Sequence, residues 1–286
     1  MDPFLIRFVL AVFLSSLIAI RALKRKSLDR SGALAGFLVM AVHFCAGFRF
    51  GFLLLVFFFS SSKLTKVGEE RKRKLEEDFR EGGQRNWVQV LSNSAIATIM
   101  LLVLALYQEQ QWCLNTKESI VITGLIGGII GHYACCNGDT WSSEIGILSS
   151  GEPRLITTFK KVRKGTNGAV SNEGLLAAAA AGFVVGLAYV AVGLVSAECA
   201  SDASWRQLLV IPLATASGLL GSLIDSLLGA TVQYSGYCNV RRKVVSKKSP
   251  TVKRISGVDI LDNNAVNAVS ILLTSLLTGL ACLYIF

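Results

Sequence analysis

Carboxylates and amides follow an apolar run that ends at Cys136. The stretch Asn137–Glu144 contains Asp139 and Glu144, and a strongly basic segment comes after it. Proteins usually hold Mg²⁺ through one or two carboxylates together with the phosphates of a substrate. The pattern therefore predicts a metal-assisted phosphate site at this end of the apolar run.

Two further acidic residues lie in or directly before later apolar runs. Asp225 lies about six residues inside its run, which is about 9 Å below the end of a helix. A carboxylate at that depth is costly unless it is paired or bound to a metal, so Asp225 is a functional candidate. Asp262 precedes the last apolar run. We expect Asp139, Glu144 and Asp225 to be catalytic, and these three together with Asp262 to be the ligands of Mg²⁺.

A polar pocket is predicted beside Asp225. Small and polar residues recur at helical spacing on the last two apolar runs, which predicts two facing stripes. One stripe is Ser217, Gly221 and Asp225, and the other is Asn263, Asn267, Ser270 and Thr274. The stripes could instead only join one helix to the other by hydrogen bonds, and Asp139 could be a helix N-cap. The residues expected to line the pocket are Asn137, Asn263, Asn264 and Asn267.

The basic segment contains a glycine-rich stretch, Gly165–Ser171. Backbone N–H groups of such a loop can bind phosphate, and the N-terminus of a following helix adds a favourable dipole. The alternative is that these charges only mark a cytoplasmic loop. The residues expected to bind phosphate are Arg154, Lys160, Lys161, Arg163, Lys164, Thr166, Asn167 and Ser171.

Composition indicates which elements must position these residues. The chain has 286 residues, of which 52% are hydrophobic, and its mean hydropathy is +0.53. Several runs approach the roughly 20 apolar residues that cross a bilayer, so we expect a single all-α transmembrane domain over residues 1–286. The net charge of +10 is attributed to loops that face anionic lipid, and no nucleic-acid partner is expected.

Eight membrane spans are predicted, with both termini outside. They cover residues 4–21, 31–47, 49–62, 88–107, 119–136, 174–196, 207–231 and 265–286. Of the 29 Lys and Arg residues, 25 then lie in four loops on the cytoplasmic side, as the positive-inside rule requires. Residues 31–62 could instead form one long helix, and 49–62 could be re-entrant, which leaves seven spans possible. The four cytoplasmic loops are 21–30, 63–87, 137–173 and 232–264.

Cysteine and histidine usage argues against a zinc site. The seven cysteines form no Cys-x-x-Cys pair, and the chain has only two histidines. Cys113 and Cys199 fall on the same predicted outer side, where a disulfide between them could form.

The motifs together resemble the transmembrane protein 19 family of multi-pass membrane proteins. The resemblance covers about residues 5–284. It rests on five motifs, which are Asn137–Glu144, Pro153–Thr157, Gly165–Ser171, Asp225–Ala230 and Leu261–Asn264.

This resemblance implies two functions. A plant member implies a role in glucose-responsive growth regulation at the plasma membrane, with the endomembrane system as the alternative location. The plastid phytyl-phosphate kinase of vitamin E synthesis, another member, implies Mg²⁺-dependent phosphoryl transfer from a nucleoside triphosphate to a prenyl or other lipid phosphate. Hydrophobic sequence begins at Phe4, so we expect no transit peptide and no plastid role in vitamin E synthesis. Sugar transport is disfavoured, because the motifs lie on one face while transport sites usually lie near the midplane.

Overall fold

The computed structural model describes residues 3–75, 83–107, 113–196 and 205–286. Most of these residues are helical. The helices are α1 (Pro3–Lys24), α2 (Arg30–Ala46), α3 (Phe48–Lys66), α4 (Glu69–Leu75), α5 (Trp87–Ser92), α6 (Ala95–Ala105), α7 (Ile120–Gly146), α8 (Asn172–Ser196), α9 (Val210–Val232, after the 3₁₀ turn Arg206–Leu209) and α10 (Asn263–Ile285).

Six helices in the described ranges are long and apolar enough to cross a membrane, namely α1, α3, α7, α8, α10, and α9 with its 3₁₀ turn. The helices α2 and α6 are apolar but shorter, and they occupy the second and fourth predicted spans. The all-helical membrane fold is therefore confirmed. The number of crossings and the side on which the termini lie stay predictions.

Residues 31–62 form two helices rather than one. Gly47 alone joins α2 to α3, and its N–H donates to the carbonyl of His43 at 3.0 Å. Arg49, in the first turn of α3, is buried and donates to the Tyr189 hydroxyl of α8 at 3.0 Å. The prediction of two helices in this region, rather than one long helix, is confirmed.

The fourth predicted span is broken. The helix α5 ends at Ser92 and α6 begins at Ala95, so the carbonyl of Asn93 has no continuous helix to satisfy it. His132 Nε2 of α7 donates to this carbonyl at 2.9 Å, and the Cys136 thiol donates at 3.6 Å. Side chains of α7 thus complete the backbone hydrogen bonding at the break, as a lipid environment requires.

The helix α7 forms the centre of the bundle. It is buried without interruption from Ile126 to Gly138, and it packs against α8, α9 and α10. A Cβ atom on Gly138 would lie 2.4 Å from the carbonyl oxygen of Gly218 on α9. Gly138 therefore permits a close contact between α7 and α9.

Two small antiparallel sheets lie outside the helices. The first pairs β1 (Arg154–Leu155) with β2 (Ala169–Val170). The second has the order β4–β3–β5, with β3 (Ser235–Cys238) between β4 (Lys243–Val245) and β5 (Val252–Ser256). The sheets occupy the third and fourth predicted cytoplasmic loops, where the sequence predicted no strands.

Candidate functional site

The acidic motif Asn137–Glu144 is part of α7, which continues to Gly146. The loop predicted from residue 137 therefore begins about ten residues later. Because the helix is unbroken, Asp139 and Glu144 point about 140° apart. Asp139 lies inside the helix and is not an N-cap. Asp262 is an N-cap instead, because its Oδ1 accepts from the Ala265 N–H at 2.8 Å at the start of α10.

Asp139 and Asp225 form a carboxyl pair between α7 and α9. Their side chains lie close enough to share a proton, and Ser270 of α10 donates to Asp225 Oδ2 at 3.0 Å. Both residues are half-buried. Two carboxyl groups in contact do not both carry a negative charge unless a cation lies beside them, so this pair shares a proton or binds a cation.

Glu144 belongs to a different contact. Its Oε2 lies 2.5 Å from Nζ of Lys72 on α4, and Lys72 is 1% exposed. The same ammonium donates to the carbonyls of Leu64 and Thr65 at the end of α3. Lys72 is thus buried, although it belongs to the charged segment 63–87, which the sequence predicts to be a cytoplasmic loop. Residues 76–82 of that segment lie outside the described ranges.

The four predicted metal ligands do not converge. In the ranges that the structure describes, no three His, Cys, Asp or Glu side chains could hold one metal ion together. Only Asp139 and Asp225 meet, because Glu144 is bound to Lys72 and Asp262 caps α10. The acidic site is therefore a pair rather than a set of four.

A cavity of about 210 Å³ adjoins this pair. One wall is polar, with Asp139, Thr140 and Ser143 from α7. The start of α10 and the stretch 85–93, which includes α5, complete this wall, and the residues are Arg85, Gln89, Asn93, Asn263, Asn264 and Asn267. The predicted pocket residues Asn263, Asn264 and Asn267 therefore share one cavity.

The opposite wall of the cavity is apolar. It is formed by α1, α2 and α3, and its largest side chains are Ile18, Val39, Met40, Leu54, Phe57 and Phe58. A cavity divided in this way fits an amphiphile whose polar head and apolar tail contact different walls.

Arg85 is the one basic residue among those lining the cavity. Its Nη1 donates to the Ser62 hydroxyl at 2.9 Å, and its backbone bonds to Ser27 and Asp29. Burial lowers the pKa of its guanidinium and the nearby Glu144 opposes this, but an arginine stays protonated in proteins. The cavity therefore contains a fixed positive charge that the sequence analysis missed. The only sequence signal was its position just before an apolar run.

Asn137, predicted to line the pocket, is instead a buried junction of three helices. Its Oδ1 accepts from the hydroxyls of Ser60 and Ser61 of α3 at 2.9 and 3.0 Å, and its Nδ2 donates to the Ala181 carbonyl of α8 at 3.3 Å. These contacts use its polar atoms, and it does not line the cavity.

The two polar stripes serve different purposes at different depths. Near the cavity, Ser270 contacts Asp225. Deeper in the bundle, Ser217 of α9 and Thr278 of α10 hydrogen-bond to each other at 2.8 Å and are both buried. The alternative of purely interhelical hydrogen bonding therefore holds for the deeper part of the stripes.

The predicted phosphate-binding cations lie on the β1–β2 hairpin and do not line the cavity. Arg154 Nη1 donates to the Phe159 carbonyl at 2.8 Å, and Arg163 lies 3.9 Å from the ring centroid of Tyr237. Lys161 pairs with Glu152 at 3.3 Å, both largely exposed. The remaining two are Lys160, which is exposed, and Lys164, which donates to the Ser149 carbonyl.

The glycine-rich stretch fastens this hairpin to α9. Asn167 donates from Nδ2 to the Tyr234 carbonyl at 3.2 Å, and a Cβ on Gly168 would lie 2.4 Å from the Ser226 carbonyl oxygen. Thr166 donates to the Arg163 carbonyl, and Ser171 accepts from the Gly174 N–H at the start of α8. The motif that precedes α8 thus packs against the helix that carries Asp225.

Fold and site together define a multi-pass membrane protein with an amphiphilic cavity at one end of its bundle. The chain matches the family model described as integral membrane protein DUF92 over residues 13–275. It belongs to this family, and the resemblance stated from the motifs is confirmed.

Three relatives show the range of similarity. The chain is 65% identical over 281 residues to Protein PGR of Arabidopsis thaliana, covering 98% of each chain. It is 33% identical over 242 residues to an uncharacterized membrane protein of Methanocaldococcus jannaschii, covering 82% of this chain and 87% of the relative. It is 31% identical over 157 residues to the chloroplastic protein VTE6 of Arabidopsis thaliana, covering 54% of this chain and 45% of the relative. No solved structure matches the chain.

Proposed function

We propose that this protein binds a prenyl or related lipid monophosphate in the cavity and transfers a phosphoryl group to it from a nucleoside triphosphate. The observation that supports this most is the division of the cavity into an apolar wall and a polar wall that carries Arg85. In the reaction, the bond between the terminal phosphorus of the nucleotide and the oxygen that bridges it to the next phosphate breaks. A phosphate oxygen of the lipid bonds to that phosphorus, giving a lipid diphosphate and a nucleoside diphosphate.

The residues of the polar wall have different roles toward the lipid phosphate. Arg85 pairs with the lipid phosphate, because a guanidinium matches the geometry of phosphate oxygens. The amides of Asn263 and Asn264 orient the same group. Phosphoryl transfer needs little covalent chemistry from the protein, so positioning and neutralisation of charge carry the catalysis.

The pair Asp139 and Asp225 is the proposed site for Mg²⁺. Two carboxylates in contact beside a cavity suit an ion that takes its other ligands from phosphates and water. When bound, the ion would neutralise negative charge on the phosphates. Glu144 and Asp262, which the sequence also suggested, have other contacts and are assigned no ligand position here.

The basic hairpin is the proposed contact for the nucleotide. Lys160, Lys161 and Arg163 are exposed. The hairpin packs against α9, and Gln233, at the end of that helix, donates to Asn263 Oδ1 at 3.5 Å. The cavity and the hairpin thus lie at the same end of the bundle, which allows a nucleotide to reach from one to the other.

The test is phosphate transfer by the purified protein in detergent, with Mg²⁺, radiolabelled CTP or ATP and a panel of prenyl monophosphates. We expect label in a prenyl diphosphate, and a decrease of about 10²–10³-fold in Asp225→Asn. Asp262→Asn is the matched control, because asparagine caps a helix as well as aspartate does. Folded wild-type protein that transfers no label to any acceptor would refute the proposal.

We also propose a role in glucose-responsive growth at the plasma membrane, with the endomembrane system as the alternative location. The similarity to Protein PGR over nearly the whole chain supports it. This role and phosphoryl transfer are compatible. Complementation of a plant mutant in the PGR relative, with the Asp225→Asn variant beside the wild type, would separate a catalytic from a non-catalytic contribution.

A further inference from the structure

We propose that the cavity opens sideways into the bilayer between α1 and α3, and that the lipid enters through this portal and leaves its tail in it. The inference deepens the proposed function, on which it rests for the identity of the lipid. It concerns the cavity residues Ile18 and Ala19 of α1 and Phe58 of α3.

The helix α1 is the least buried of the six candidate membrane spans in the described ranges. It packs along α2, while it makes at most slight contact with α3. Its buried face carries small residues, among them Ala11 and Ser15. The other face is exposed and apolar, with Phe13 at 58% and Ile20 at 53% exposure. The cavity is therefore bounded by α1 and α3 where the backbones of these two helices are not closely packed.

The cavity is closed toward the centre of the bundle. Met40 and Leu54 are the lining residues farthest from the start of α2 and from the end of α3. Behind Phe57 lies Tyr133, with 6.2 Å between the ring centroids, and the Tyr133 hydroxyl is hydrogen-bonded to His43 Nε2 at 2.5 Å. Tyr133 and His43 are fully buried, so a lipid tail cannot pass through them into the centre of the bundle.

The depth of the apolar wall is short compared with a prenyl chain. Phe57 of the apolar wall packs against Tyr133, which lies six residues, or about 9 Å, from Asp139 along α7. Leu54 lies three residues farther along α3, so the apolar wall extends about 9–14 Å beyond Asp139, which is less than the length of an extended geranylgeranyl chain. The rest of a long tail must lie outside the cavity, and the loosely packed side between α1 and α3 leads into the hydrocarbon region.

The experiment measures binding and transfer in nanodiscs with two radiolabelled monophosphates. One carries a geranylgeranyl chain and is delivered within the bilayer. The other carries a dimethylallyl group, is soluble in water and can enter at the polar end. The variant Ile18→Trp fills the portal, and Phe13→Trp is the matched control on the exposed face of the same helix.

We expect Ile18→Trp to slow uptake of the long-chain lipid by about tenfold or more and to change binding of the short one less than about twofold, while Phe13→Trp changes neither. Phe58→Ala, which widens the portal, should speed uptake of the long-chain lipid. Equal loss of both ligands in Ile18→Trp, or no loss of either, would overturn the portal.

Binding without transfer separates the two proposals. If wild-type protein binds the long-chain lipid but transfers no phosphate, the proposed reaction fails and the portal is still judged by the uptake rates. If transfer occurs and Ile18→Trp leaves uptake unchanged, the portal fails and the reaction stands. If wild-type protein binds neither ligand, both proposals fail.

Discussion

The two halves of the bundle are built differently. The helices α7, α8, α9 and α10 are uninterrupted and have 23 to 27 residues each. In the first half, α2 has 17 residues, and the fourth span is divided into pieces of 6 and 11. The cavity lies mainly between helices of the first half, with one wall from α7 and α10.

This difference separates two tasks. Close backbone contact in the second half holds Asp139 and Asp225 together, because neither helix can shift without disturbing the other. The shorter elements of the first half leave room for a ligand and supply both the apolar wall and Arg85. A reactive pair thus belongs to the rigid half, and ligand recognition belongs largely to the more open half.

The largest expected effect comes from removing the charge that the open half contributes. Arg85→Gln should weaken binding of a prenyl monophosphate about 100-fold, which corresponds to about 3 kcal/mol, because a charge-assisted contact to phosphate is lost. The measurement is equilibrium binding of the radiolabelled lipid in nanodiscs.

Arg85→Lys is the control, since it keeps the charge and should retain part of the affinity. Affinity for the corresponding prenyl alcohol should not change. An equal loss for the alcohol would mean that Arg85 only supports the shape of the cavity, and the assignment of the phosphate to this wall would then be wrong.

The next effect concerns the link between the halves. Glu144→Gln removes the ion pair with Lys72, which leaves a buried ammonium with only the carbonyls of α3 as partners. Breaking a buried pair costs about 3–5 kcal/mol, and the partial exposure of Glu144 reduces this to about 2 kcal/mol. Unfolding of the purified protein in detergent measures it.

The exposed pair of Lys161 and Glu152 provides the control, because exposed ion pairs contribute little. Glu152→Gln should leave stability unchanged. If Glu144→Gln also leaves stability unchanged but abolishes transfer, then Glu144 acts in the reaction, as its sequence position first suggested.

Sequence reasoning succeeded where the signal was local. Apolar runs and the distribution of Lys and Arg predicted the order of the membrane helices and the turn between α2 and α3. The depth of Asp225 within its run marked it as a candidate, and it does contact a second carboxyl group. Asn263 and Asn267, which are four residues apart and so share one face of α10, also line the cavity.

The predictions that were wrong or absent share a physical cause, which is contact between distant parts of the chain. The polar residues after Cys136 resemble the end of a helix, but α7 continues because Gly138 packs against α9 and Asn137 bonds to α3 and α8. Arg85 reaches the cavity through contacts with Ser27, Asp29 and Ser62, which no periodicity reveals. Glu144 was grouped with Asp139 by proximity in sequence, although helix geometry directs it to Lys72.

The smallest effect compares one added methyl group in each half. In Gly138→Ala, the new Cβ would meet the Gly218 backbone at 2.4 Å, and a helix backbone cannot yield locally. In Gly36→Ala, the new Cβ would lie 3.2 Å from the end of the Leu28 side chain, which can rotate away beside the cavity. Gly138→Ala should therefore destabilise the protein by about 1.5 kcal/mol and Gly36→Ala by less than about 0.5 kcal/mol. Thermal unfolding of both variants in one detergent gives the comparison. Equal destabilisation by the two substitutions would show that the halves are packed alike, and the separation of a rigid reactive half from an open binding half would have to be abandoned.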